Sequence, residues 1–146
     1  MIKNDYILRL IEQMGDFLRQ LLAWETSGDF GKCHEEIDAK LQQLGVSRTL
    51  LRALPPEELT GLLGRRDESH ARRCMLLARL AQADAQVYEA ESRPKTALGM
   101  YQTALGVLKA VQDEAEPEEQ ADLRGQMREV EAAISQNIGG GDPGGL

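Results

Sequence analysis

Aromatic residues are scarce in this chain. Phe, Trp and Tyr together make 4% of 146 residues, with a single tryptophan. β-Branched residues are also few, so little is present that favours strands. Long apolar runs are missing too. The longest, Cys74 to Ala78, is far short of the ~18 residues that a membrane span needs. The first ten residues already carry Lys3, Asp5 and Arg9, which leaves no apolar core of the ~7–15 residues expected of an export signal. There are only two cysteines, and without such a signal they are expected as reduced thiols in a cytoplasm. Basic charge is in deficit: 17 Lys and Arg against 24 Asp and Glu, a net charge of −7. A chain of that sign gains no counterion release from phosphate backbones, so nucleic acid is not expected as a partner, and with so short an apolar run neither is a membrane. The one basic knot, Arg65, Arg66, Arg72 and Arg73 around Asp67 and Glu68, reads as a solvated loop and helix start.

Catalytic motifs are missing as well. No Gly-rich phosphate loop, serine elbow or HExxH motif occurs. Gly139–Gly141 follows a helical pattern instead of preceding one, so its amides are not aimed at a phosphate. Neither an enzyme nor a cofactor is expected.

What is present is helix-forming: Leu, Ala, Glu, Gln and Arg dominate. A chain of this length buries roughly 70% of its unfolded surface as one domain. The first helical pattern runs from Asn4 or Asp5, as caps, to Ser27, with apolar residues at Ile7, Ile11, Met14, Phe17 or Leu18, Leu21 and Trp24. Leu8, Leu10 and Leu22 widen that stripe. Gly28 stops it, and a second helix follows from Phe30 to Leu44, ended by Gly45. The short link between them implies an antiparallel hairpin.

Residues 46–66 read as an insert of two short helices, Arg48–Leu54 capped by Ser47 and Pro56 to Gly64, whose leucines cover an open end of the core. A second hairpin pairs Asp67–Ser92 with a helix from Pro94 to about Glu114. A last helix starts at Pro117 and runs to residue 136, and 137–146 reads as a flexible Gly-rich tail. The expected architecture is thus all-α: a single helical domain over 1–136, with hairpins 4–44 and 67–114, insert 46–66 and C-terminal helix 117–136.

Across the second hairpin, Tyr88, Ala97, Tyr101 and Ala104 are spaced by nine, four and three residues. With Ala85 as a small residue in the first helix, this spacing resembles the tetratricopeptide repeat. In that family small residues let two helices approach and aromatics fill the gap between them. Ala81 stands where tryptophan is common, Asp84 where leucine is common and Lys109 where proline usually closes the unit. The same spacing on the first hairpin falls on Trp24, Cys33, Ile37 and Lys40, with Phe17 in the early aromatic position. Trp24 to Tyr88 is 64 residues, about 30 more than one repeat period of 34. The excess is close to the size of the insert. Two degenerate repeats with a helical insert are therefore expected. The N-terminal run NDYILRLIEQMGDFLRQLL, with the hairpin and leucine-rich insert, also resembles an uncharacterised family of small bacterial tetratricopeptide-like proteins. That resemblance implies the fold and brings no activity with it.

Cys33, His34, His70 and Cys74 are the only metal-type ligands besides carboxylates. His70 and Cys74 share one helix face, whereas Cys33 and His34 diverge, and Cys33 fits a small core position. No metal site is expected, and a metal or enzymatic role using Cys33, His70 and Cys74 stands third among the readings. Paired carboxylates such as Glu35 with Glu36 or Glu118 with Glu119 are read as charged helix surface. In tetratricopeptide-like proteins the first helix of each unit lines a concave surface. That resemblance implies Arg79, Gln82 and Gln86, with Glu89 beside them, as exposed partner-binding positions. The matching face of the first helix, Gly15, Leu18 and Leu22, is apolar and is expected to be covered by the insert or a second chain. The leading expectation is a non-catalytic interaction or scaffold module for an unknown protein or peptide partner. A self-associating homodimer is the alternative.

Overall fold

Left-handed residues and prolines divide the chain. Gly28 and Gly45 have φ of +78° and +89°, a conformation that costs any residue with a Cβ, and helices stop there. The computed structural model describes the backbone of residues 2–140 and the side chains of 8–138. The elements are α1 (Ile2–Thr26), α2 (Phe30–Gln43), α3 (Arg48–Ala53), α4 (Pro56–Gly61), α5 (His70–Ala90), α6 (Pro94–Ala110) and α7 (Pro117–Gly140). A single 3₁₀ turn, Gln112–Glu114, precedes α7. No strand occurs among the described residues, so the all-α class holds.

Several boundaries differ from expectation. α1 begins ahead of Asn4 and Asp5, so neither caps it. Ser47 does cap α3, its hydroxyl accepting from the Leu50 amide at 3.1 Å. α5 starts three residues later than Asp67. Asp67 instead accepts from the Ser69 amide and hydroxyl at 3.0 and 2.9 Å, which holds residues 67–69 as a turn. α7 runs past residue 136 to Gly140. Asn137 fixes that end by donating to the Ala133 carbonyl and to Glu89 on α5, both at 2.8 Å. The rest of the expected tail, 141–146, lies outside the described residues.

α5 is central: it packs against α1, α2, α6 and α7. Its alanines are the reason it can. Ala81 and Ala85 on α5 are fully buried, as are Ala97 and Ala104 on α6, and small side chains let the two backbones approach. Tyr88 and Tyr101 are buried with them. Cys33, Ile37 and Leu41 form the buried stripe of α2. Among the described side chains of α1, Leu10, Phe17 and Leu21 are buried, whereas Ile11, expected inside, is exposed. α7 docks on α6 through Leu123 and Val130.

The insert covers the core from the side of α6. α3 and α4 lie on α6, with Leu51, Leu59 and Leu63 buried and Leu50 and Leu62 exposed. They do not cover α1. The close approach of α4 to α6 depends on Gly106, where a Cβ would collide with the Pro56 ring and stand 3.0 Å from its Cβ. Gly99, on the same helix, faces open space. Gly99→Ala is therefore expected to stabilise the protein by about 0.5–1 kcal/mol through helix propensity. Gly106→Ala, with the same propensity gain, is expected to destabilise it, because a proline ring cannot swing aside. Urea unfolding of the two variants checks both signs.

Candidate functional site

Two histidines, His70 buried and His34 partly buried, are each gripped at both ring nitrogens. His34, on α2, meets Asp84 on α5 through Nδ1 at 2.7 Å and Glu91 through Nε2 at 2.6 Å. Asp84 has no exposed surface. Its other oxygen accepts from Arg48 Nε at 3.3 Å, and Arg48 also donates to the Tyr88 hydroxyl. The His34 ring stacks at a tilt on Tyr88, with centroids 4.5 Å apart. Arg48, Arg52 and Arg93 surround the same tyrosine ring at 5.7, 6.0 and 5.1 Å. One network thus joins α2, α3, α5 and the α5–α6 turn.

Burial alone would lower the pKa of His34. The hydrogen bonds to Asp84 and Glu91 outweigh it and hold the imidazole above its ordinary value, with Arg48 opposing. The folded state therefore keeps its proton to higher pH than the unfolded chain. The stabilising share of His34 is complete below about pH 6.5, the unfolded value. It is lost as pH rises through the raised folded value. Urea midpoints measured from about pH 6 to about pH 9 are expected to fall with pH, and His34→Gln should flatten that slope.

His70, at the start of α5, is fully buried. Nδ1 pairs with Glu114 and Nε2 with the Thr60 carbonyl at 2.8 Å. Arg66 also bonds Glu114, at 2.6 Å. Arg73 was expected as part of a solvated knot, but it is buried. It donates to the carbonyls of Leu63 and Arg65, both at 2.6 Å, and to the Ser69 hydroxyl. Those backbone acceptors sit in the α4–α5 connection and have no helix to satisfy them, which is why a guanidinium is held there. Glu119 is likewise buried instead of being helix surface. It accepts from the Glu116 amide at 3.0 Å, capping α7, and from Arg72 at 2.8 Å.

The candidate metal residues do not converge. Cys33 donates to the Leu21 carbonyl at 3.7 Å while His34 turns to Asp84. Cys74 lies 3.7 Å from His70 Nε2. Burial raises Cys33 to about 11 and Cys74 to about 12, far from thiolate chemistry. Among the described residues no group of three or more His, Cys, Asp or Glu is arranged to hold a metal ion.

A trough runs along the other side of α5. A cleft of about 610 Å³ lies between the first half of α1 and the first half of α7. A smaller one of about 200 Å³ continues it between the second half of α1 and α5. The two meet at Arg79, which bonds Glu129 across the floor at 3.4 Å. The α1 wall is apolar: Leu8 is 45% exposed, Ile11 38% and Leu22 63%, with Met14 and Leu18 partly buried between them. Of the two covers expected for the face around Leu18 and Leu22, the insert does not serve, since it lies on α6, which leaves a second chain. The α7 wall is acidic, with Glu118 and Asp122 exposed at its rim.

Arg79, Gln82 and Gln86 all line this trough. Their exposure differs. Gln86 is open and Arg79 partly so, whereas Gln82 is buried, donating to Glu129 at 3.4 Å. Glu89, at the edge of that row, accepts from the Tyr101 hydroxyl and Asn137. The Tyr101 hydroxyl is pushed well above the usual tyrosine range by burial and by that glutamate.

The chain matches no family model, no curated protein and no solved structure.

No helix among the described residues is long and apolar enough to cross a membrane. The His34–Asp84–Arg48 network escaped the sequence reading. Asp84 was visible as an acid amid Ala81, Ala85 and Tyr88 on the apolar stripe of α5, and a buried carboxylate demands partners. Nothing local in the chain points from it to His34, fifty residues away.

Proposed function

We propose that the chain is a non-catalytic protein–protein interaction or scaffold module built on degenerate tetratricopeptide-like hairpins. The hairpin reading draws support from the burial of Tyr88, Ala97, Tyr101 and Ala104 where α5 meets α6, and of Cys33 and Ile37 on α2. The interaction reading rests on one observation: Leu8, Ile11 and Leu22 of the α1 stripe, the last 63% exposed, open into a trough. Clustered exposed apolar surface rimmed by charge marks a place where another surface docks.

The same stripe supports a second reading, a homodimer formed through α1. Sedimentation velocity of the native chain and of Leu22→Glu separates the two. A monomer at micromolar concentration, unchanged by the substitution, fits a module for a different protein. A dimer that Leu22→Glu dissociates replaces it with self-association. Leu22 is exposed, so the substitution should leave the fold intact.

A further inference from the structure

We propose that the trough between α1 and α7 receives an amphipathic α-helix with a basic polar face. This deepens the interaction reading and rests on it. The apolar wall is a helical stripe. Leu8, Ile11, Leu18 and Leu22 recur at three, seven and four residues along α1. From Leu8 to Leu22 the stripe is about 21 Å long at 1.5 Å per residue, or about four turns of a partner helix. Such a helix laid beside α1 would bury these four side chains by ridge-and-groove packing.

A helix suits the floor better than an extended peptide does. An extended segment needs side chains that bond its backbone. Gln126 is already spent on the Met75 carbonyl at 3.1 Å and Gln82 on Glu129, so Gln86 is the floor amide left open to solvent. A helix satisfies its own backbone and asks nothing of the floor.

The charges set the sign of the partner. Five carboxylates line the trough: Glu25, Glu118, Glu119, Asp122 and Glu129. The two arginines facing them are already committed, Arg72 to Glu119 and Arg79 to Glu129. Glu118 and Asp122 stand four residues apart on α7 with no ion pair among the described residues, on the wall opposite the leucines. At the far end Glu25 lines the narrower cleft beside Glu129, so the acidic character continues along the trough. A helix with leucines on one face and lysines or arginines on the other meets both walls at once. A second copy of this chain fits less well: it brings a net charge of −7 to an acidic trough.

The test uses the full chain and labelled synthetic peptides of about four to five helical turns. One has leucines at helical spacing and lysines elsewhere. A second replaces the lysines with glutamates. A third keeps the lysine composition and carries two central prolines. Fluorescence anisotropy is expected to show binding of the lysine peptide that weakens with added salt and is about tenfold or more tighter than for the other two. Ile11→Glu with Leu22→Glu, and separately Glu118→Lys with Asp122→Lys, should each weaken it by about tenfold or more. Glu35→Lys, an exposed charge change on α2, should leave it within about twofold.

Equal binding of the glutamate peptide, or no effect of the trough variants, overturns the proposal. Equal binding of the proline peptide makes the occupant extended and overturns it too, while the interaction reading stands. Should no peptide bind, a photocrosslinker at Leu22 in host extract decides what remains. A crosslink to a different protein sinks only the helix, whereas a crosslink to a second copy sinks both.

Discussion

Asp84→Ala is expected to cost the protein about 3–5 kcal/mol, the usual consequence of removing one partner from a buried ionic network. Asp84 has no exposed surface and holds His34 with one oxygen and Arg48 with the other. Without it, the imidazole and the guanidinium face each other across a pocket with only Glu91 and the Tyr88 hydroxyl to satisfy them. In a chain of this size the loss corresponds to roughly 6–20 °C in melting temperature. Asp84→Leu combined with His34→Leu should recover part of the loss, because apolar replacement of a whole buried pair is often close to neutral. A double-mutant cycle on the two positions should give a coupling of about 1–3 kcal/mol. An Asp84→Ala protein that melts within about 1 kcal/mol of the parent would show that the network is incidental to stability.

The second large effect belongs to Arg73. Arg73→Met keeps the apolar stem and removes every donor to Leu63, Arg65 and Ser69. Two partly buried carbonyls then lose a charged donor, at about 3 kcal/mol in total, or roughly 6–12 °C. The damage should be local first. Arg65 and Arg66 are exposed in the connection that Arg73 ties down, so trypsin should cut there faster and the amides of 63–70 should exchange sooner. Arg66→Met is the control. Its side chain is 59% exposed and its pair with Glu114 lies at the surface, so it should cost at most about 1 kcal/mol.

These two residues also show where a linear reading stops. Helices were legible because propensity and punctuation agree: Gly28, Gly45, Ser47, Pro56 and Pro94 mark ends that the structure keeps. The inward side of the second hairpin was legible from the spacing of Tyr88, Ala97, Tyr101 and Ala104, all buried. The fate of the charged residues was not. Arg73 and Arg66 look alike in the sequence, and only the carbonyls of a particular loop, turned towards the interior, make one of them interior. Glu119 and Glu118 differ in the same way, since the inner one caps α7 and reaches Arg72. Ile11 and Leu10 are equally apolar neighbours, and the angle at which α1 meets α2 and α5 decides which of them stays wet. The destination of the insert is a tertiary choice, permitted by a missing side chain at Gly106.

The placement of the Asp84 network has a kinetic consequence. α5, α6 and α7 meet partners close by in the chain, and such contacts form early because little loop entropy precedes them. The joining of α2 to α5 spans the whole insert, and His34 and Arg48 can reach Asp84 only once that span has closed. The network should therefore be absent at the folding barrier. Weakening it should leave the refolding limb of a chevron nearly unmoved and steepen the escape from the native state, with a φ-value at Asp84 near zero. The carboxylate then acts as a latch that lengthens the lifetime of the assembled bundle.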